Sequence, residues 1–168
     1  QAPLTDLIVH EVDRIARLLD QMQNLGRVMP GQMQAENIHE LIERAIRSVR
    51  AANKAMPAID INYDPSLPDV QIEADAMVQV LINLIQNGID ASGDGTPVFV
   101  SLTGDGMHAS IEIVDSGCGM SPDFVRNKLF KPFVSSKQGG FGIGAFEARE
   151  LVQQMRGRLE VESREGLG

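Results

Sequence analysis

The sequence predicts an α+β fold, a two-layer sandwich with helices on one face of a sheet, preceded by one long helix. Apolar residues recur at helical spacing over Leu4 to Met29, Leu41 to Val49, Glu73 to Ala91 and Ile143 to Met155. They alternate with polar residues over Ile59 to Asp64, Val98 to Thr103 and Ala109 to Val114. The order helix, strand, helix, hairpin, loop, helix, strand places both kinds of element around one core.

In the first segment, Ile8, Ile15, Leu18, Met22, Leu25 and Met29 recur close to a 3.5-residue period, with Glu11 on the same stripe. Val12 and Leu19 widen the apolar face, so this helix calls for more than one neighbour, as in a four-helix bundle. A lone helix cannot bury such a stripe, and the segment predicts self-association. Pro30-Gly31 ends it. Residues 1–30 are thus expected to form one bundle helix, and residues 35–168 a second domain.

That second domain opens on a helix with Leu41, Ile42, Ala45, Ile46 and Val49 on one face. Ile59, Ile61 and Tyr63 then form a half-buried strand closed by Asp64-Pro65. The Gly104-Asp105-Gly106 turn joins the next two strands as a hairpin. Residues 116–142, rich in Gly, Ser and Pro, read as a long functional loop, and Arg158 to Ser163 as a last strand.

Composition narrows the function. With 43% hydrophobic and 23% charged residues, the chain reads as a soluble globular protein. No apolar run approaches the roughly 18 residues that cross a bilayer, so no membrane contact is expected in these residues. A net charge of -8 leaves no basic stripe for nucleic acid and favours proteins or a metal-chelated small anion as partners. The single cysteine, Cys118, excludes an internal disulfide or a multi-cysteine zinc site and fits a reducing, cytoplasmic setting. A chain opening on Gln1 reads as a fragment, which leaves a membrane anchor open for a longer parent.

Four segments carry chemistry. Asn83, Asn87 and Asp90 fall at i, i+4 and i+7 of the central helix and share one stripe. Alone, that is a solvated helix face, although an amide oxygen also suits a hard cation such as Mg²⁺. Asp115-Ser116-Gly117-Cys118-Gly119-Met120 follows the hairpin's second strand. A carboxylate there is an acceptor for an exocyclic amine, and the glycines admit close approach of backbone, whereas the plainer reading is a polar turn. Phe130-Lys131-Pro132-Phe133-Val134-Ser135-Ser136-Lys137 combines an aromatic anchor with hydroxyls and a cation. Gly139-Gly140-Phe141-Gly142-Ile143-Gly144 runs into a helix N-terminus, an anion cradle or a simple hinge. It lacks the Gly-Lys-Ser/Thr of a P-loop and the βαβ unit of a dinucleotide site.

In this order the segments resemble the N, first glycine-rich, F and second glycine-rich boxes of the family that includes histidine kinases, gyrase B, Hsp90 and MutL. The resemblance spans about Ile59 to Gly168 and implies the Bergerat ATP-binding fold. Phe130-Lys131-Pro132-Phe133 points to the histidine kinases within it. Tyr63-Asp64-Pro65-Ser66-Leu67-Pro68 and Asn37-Ile38-His39-Glu40 look like nitrogen-regulation sensor kinases. Phe141-Gly142-Ile143-Gly144 with Glu147 and Glu150-Leu151-Val152 is similar to a bacterial group regulating exopolysaccharide and surface-protein systems.

The resemblance implies ATP and Mg²⁺ as cofactors. Asn87 would ligate the metal, with Asn83 beside it assisting the reacting histidine or the phosphates, and Asp90 a lesser member of the set. Asp115 would take the adenine amine, in a pocket shaped by Gly117 and Gly119, with Met120 and Phe130 among the ATP-binding residues. Lys137 and the Gly140, Gly142 and Gly144 backbone would close on the phosphates, Ser135, Ser136 and Ile143 are also among the ATP-binding residues, and Lys137 joins Asn83 and Asn87 as catalytic. The implied reaction passes the γ-phosphoryl group to a histidine, then to a response regulator receiver domain, within a homodimer paired through the helix bundle. An anti-sigma-type serine kinase and a non-catalytic ATP or ADP sensor are the alternatives.

His10-Glu11 opens like an acceptor box, but Val12-Asp13-Arg14 does not continue it, and Pro30 leads straight to the ATP domain. The helix therefore reads as the second of the bundle, with the acceptor histidine elsewhere. His39 and His108 read as surface or turn residues, and Cys118 as a small residue in a tight turn. Ala145 stands where Leu is common, a harmless change. Gly166-Leu167-Gly168 stands where the family continues with Thr and a closing strand, so one adenine-site contact is expected to lie beyond it.

Overall fold

The computed structural model describes residues 2–23, 32–53, 55, 58–93, 95–132 and 144–168. The first helix, α1 (Ala2–Gln23), carries its apolar stripe unburied: Leu4, Leu7, Ile8, Val9, Val12, Ile15 and Leu19 are each more than half exposed. The expected continuation through Leu25 and Met29, and the Pro30-Gly31 stop, lie outside the described residues.

The rest of the described chain is built around α3 (Ala74–Ala91). Glu73 starts this helix by accepting the backbone N–H groups of Asp75 and Ala76, two of the donors that a helix start leaves unpaired. Ser92 ends it, its hydroxyl donating to Gly88 O at 2.7 Å. α2 (Ile38–Ala52), capped by Asn37, packs against α3. Its Leu41, Ile42, Ala45, Ile46 and Val49 are all buried, as the sequence spacing predicts. α5 (Gly144–Gln154) packs on α3 as well, contributing Ala148 and Leu151 to the core.

Beneath the helices lies a three-stranded sheet in the order β2–β4–β5, formed by Ile59–Tyr63, Val98–Gly104 and Ala109–Val114. β2 runs parallel to β4, with Ile59 opposite Val98, and β4 antiparallel to β5, with Phe99 opposite Val114. Val98, Val100 and Leu102 point into the core with no exposure, while Phe99 and Val114 face outward. The hairpin turn forms where expected: Asp105 Oδ1 accepts the N–H groups of Met107 and His108, and Gly106 takes a φ of 88°.

Several features depart from the sequence expectations. A second, two-stranded sheet pairs β1 (Gln34–Glu36) with β3 (Val70–Ile72), three residues each and too short and polar to show an alternation. The long loop contains the helix α4 (Pro122–Asn127), started by Ser121 Oγ accepting from Phe124 N–H. Arg158 to Ser163 is not a strand: burial alternates along it, but no ladder forms, and Ser163 bonds instead to the loop after β5. His39 is only partly at the surface. It sits half-buried in the first turn of α2, with Nε2 3.0 Å from Asp64 O and its ring edge-on to Tyr63. Burial and the neighbouring Glu43 carboxylate raise the Tyr63 phenol well above its ordinary range.

Candidate functional site

Three of the four motifs meet along α3. The loop after β5 begins with Asp115, whose Oδ1 accepts the Gly117 N–H at 2.9 Å. That short turn fixes a half-buried carboxylate at the end of the strand. The loop presses on α3 at two glycines. A Cβ on Gly88 would lie 3.6 Å from Asp115 Cβ, and one on Gly117 would run into the Ala91 backbone, 2.8 Å from Ala91 Cβ. At Gly117 only glycine allows the approach, whereas a Cβ on Gly88 would be in ordinary contact with Asp115; the two contacts bring Asp115 alongside the residue that follows Asn87.

One turn earlier on α3, Asn83 faces α5. Its Nδ2 donates to Gly144 O at 3.4 Å and to Glu147 Oε2 at 3.3 Å, while its Oδ1 accepts from Gln79 Nε2 at 3.1 Å. The amide is therefore engaged in holding the start of α5, at the last residue of the second glycine-rich motif. Glu147 is only 2% exposed, and burial pushes its carboxyl above the ordinary range, with the Asn83 hydrogen bond acting the other way. Asp90 is exposed and accepts from Gln86 Nε2 at 2.7 Å, which places it at the outer edge of the stripe.

Asn87 is half-buried between these two contacts. Among the described residues no cluster of three or more His, Cys, Asp or Glu could cage a metal ion. A neutral amide with few carboxylates around it fits a cation that brings most of its ligands with it, from phosphate oxygens and water, as Mg²⁺ does. Met120 follows Gly119, whose φ of 69° and close approach to the Arg164 carbonyl suit glycine alone. Phe130 is half-buried under the Arg149 guanidinium, 4.7 Å from its ring centre. Ser135, Ser136, Lys137, Gly140, Gly142 and Ile143 lie outside the described residues. Ser163 and Glu147 touch the site motifs from 43 and 64 residues away in sequence, and neither was singled out as a site residue from sequence. The sequence carries no local signal for such distant pairs.

The fold and these motifs define a nucleotide-binding domain, and sequence comparison names its family. The pattern of the histidine kinase-, DNA gyrase B-, and HSP90-like ATPase family matches residues 72–168, and the chain belongs to that family. Among curated proteins, it is similar to the sensory histidine kinase/phosphatase NtrB of Rhodobacter capsulatus, at 35% identity over 97% of this chain and 49% of that protein. NtrB of Escherichia coli O157:H7 is 33% identical over 95% of the chain and 48% of its own length. The chain thus spans about half the length of these relatives. Among solved structures, the Acinetobacter baumannii histidine kinase AdeS superposes with a TM-score of 0.73 at 19% identity, covering 99% of this chain and 80% of that one. Full-length ShkA in complex with AMPPNP gives 0.74 at 20% identity, covering 94% of this chain and 34% of that one. At these identities the two structures establish the shared fold.

Proposed function

We propose that this chain is the ATP-binding catalytic portion of an NtrB-like sensor histidine kinase. It transfers the γ-phosphoryl group of ATP to a histidine outside these residues, for onward passage to a response regulator receiver domain. The observation that carries this reading is the convergence of the Asp115 loop on Gly88 and Ala91 of α3, beside Asn87. An adenine acceptor and a metal-compatible amide then stand on adjoining elements, as a purine triphosphate requires. The bound AMPPNP in the ShkA complex supports a nucleotide in this fold.

In the proposed mechanism Asp115 accepts the adenine 6-amino group while the Gly117 N–H holds its other oxygen. Asn87 would offer its amide oxygen to a Mg²⁺ ion, which would supply positive charge against the phosphates. Asn83 acts from behind, tying α5 to α3 so that the glycine-rich segment enters its helix beside the phosphates. Lys137, outside the described residues, would add positive charge against the phosphates, and the acceptor imidazole is the nucleophile. The exposed stripe of α1 pairs with a second copy in a helix bundle.

The test is to incubate the chain with γ-labelled ATP, Mg²⁺ and the isolated acceptor-helix domain of its parent. An acid-labile, alkali-stable label on that domain is expected. Nucleotide binding without any transfer would leave a non-catalytic nucleotide sensor.

A further inference from the structure

The segment from Ser163 to Gly168 is locked onto the Asp115 loop. The Ser163 hydroxyl does two things at once: its oxygen accepts the Met120 N–H at 2.9 Å, and its proton goes to Gly168 O at 3.0 Å. Gly166 N–H donates to Cys118 O at 2.7 Å, and Arg164 N–H to Gly168 O at 2.7 Å. The two backbones also touch directly. A Cβ on Gly119 would strike the Arg164 carbonyl, and one on Gly168 the Asp115 carbonyl. Most of these contacts are backbone to backbone and would survive many substitutions. The side chain that joins the turn to the loop is that of Ser163.

We infer that Ser163 is a positioning residue for the Asp115 site, fixing through Met120 the path of the loop that aims the carboxylate. The inference deepens the proposed function and rests on its assignment of Asp115 to adenine. Ser163 touches Met120 and Gly168 rather than the carboxylate, so its effect travels through the backbone of Gly119 and Met120. Both partners are half-buried, and water can replace the lost hydroxyl at either one. Removing it therefore loosens the loop more than it unfolds the domain.

This separates a positioning role from a structural one through base preference. Adenine presents a donor to Asp115 where guanine presents an acceptor, so the ratio of ADP to GDP affinity reports how well the carboxylate is aimed. The experiment titrates ADP and GDP into the wild-type chain and into Ser163→Ala, Ser163→Thr and Asp115→Ala, with a melting curve for each. Loss of one ordinary hydrogen bond predicts about 3- to 10-fold weaker ADP binding in Ser163→Ala, with GDP little changed. Ser163→Thr, which keeps the hydroxyl, should restore the preference.

If Ser163→Ala keeps both affinities, or loses both by the same factor, the positioning role is overturned while the nucleotide reading stands. If the wild-type chain binds ADP no better than Asp115→Ala does, the nucleotide reading itself fails and the role of Ser163 goes with it.

Discussion

Replacing Gly117 by Ala should disturb stability and the site together, because the same contact serves both. Gly117 is buried, and its added Cβ would overlap the Ala91 carbonyl group and lie 2.8 Å from Ala91 Cβ. Most of that obstruction is helix backbone, which cannot rotate aside as a long side chain would. Overpacking of this kind costs about 1–3 kcal/mol. In a chain of this size each kcal/mol moves the melting temperature by about 2–4 °C, so a fall of about 2–12 °C is expected. The least costly relief is to lift the loop from α3. Asp115 moves with it, since its Oδ1 is bonded to the Gly117 N–H. A misaimed carboxylate forfeits a hydrogen bond to a charged group, about 1.5–3 kcal/mol, or about 10- to 150-fold in ADP affinity. Scanning calorimetry without nucleotide and an ADP titration read the two effects separately. Gly93→Ala is the control, for there a Cβ would meet only Thr96 Oγ1, at 3.9 Å. If Gly117→Ala melts and binds as Gly93→Ala does, the close packing of loop on helix is not what shapes the site.

Two further predictions concern other parts of the chain. Burial holds the Glu147 carboxyl above its ordinary value of 4.5, so the folded chain keeps this proton where the unfolded chain has released it. Its contribution to stability is therefore full below the unfolded value and is lost as pH rises through the folded one. Glu147→Gln should gain in melting temperature over wild type as pH is raised from about 5 to about 8; a difference constant with pH would contradict the perturbed carboxyl. On α1, Ile15 is 54% exposed in the middle of the apolar stripe. Ile15→Glu should shift the chain from dimer to monomer in sedimentation while ADP affinity stays within about twofold, since binding sites remote from an altered contact act independently. An unchanged dimer would rule the stripe out as the pairing surface.

How much of this was legible depended on the reach of each interaction. α2 announced itself because Leu41, Ile42, Ala45, Ile46 and Val49 return to one face every turn, and all five are buried. The hairpin was equally plain, since its alternation and its glycine turn are both local. β1 and β3 were not, because a three-residue strand such as Gln34-Ala35-Glu36 exists only through its distant partner. α4 did carry a signal, with Ser121 before Pro122 and Asp123 in the first turn, but the Gly-, Ser- and Pro-rich composition around it masked the helix start. Arg158 to Ser163 shows the opposite failure: a period of two marks which side chains face inward, not whether a ladder forms.

The same division holds at the site. The Asp115 loop and the Asn83–Asn87 stripe are short motifs with their chemistry in sequence. Their meeting at Gly88 and Gly117 is a packing fact, decided most sharply at Gly117, where a Cβ would overlap the Ala91 backbone. Glu147 and Ser163 act across contacts that spacing along the chain does not encode.

The central claim, that Asp115 and Asn87 form one nucleotide site, is tested most directly by calorimetric titration of AMPPNP with and without Mg²⁺. The wild-type chain, Asp115→Ala and Asn87→Ala would be measured side by side. The account predicts Mg²⁺-sensitive binding in wild type, loss of binding in Asp115→Ala with the domain still cooperatively folded, and retained but Mg²⁺-insensitive binding in Asn87→Ala. Wild-type affinity in Asp115→Ala, or undiminished Mg²⁺ dependence in Asn87→Ala, would contradict it.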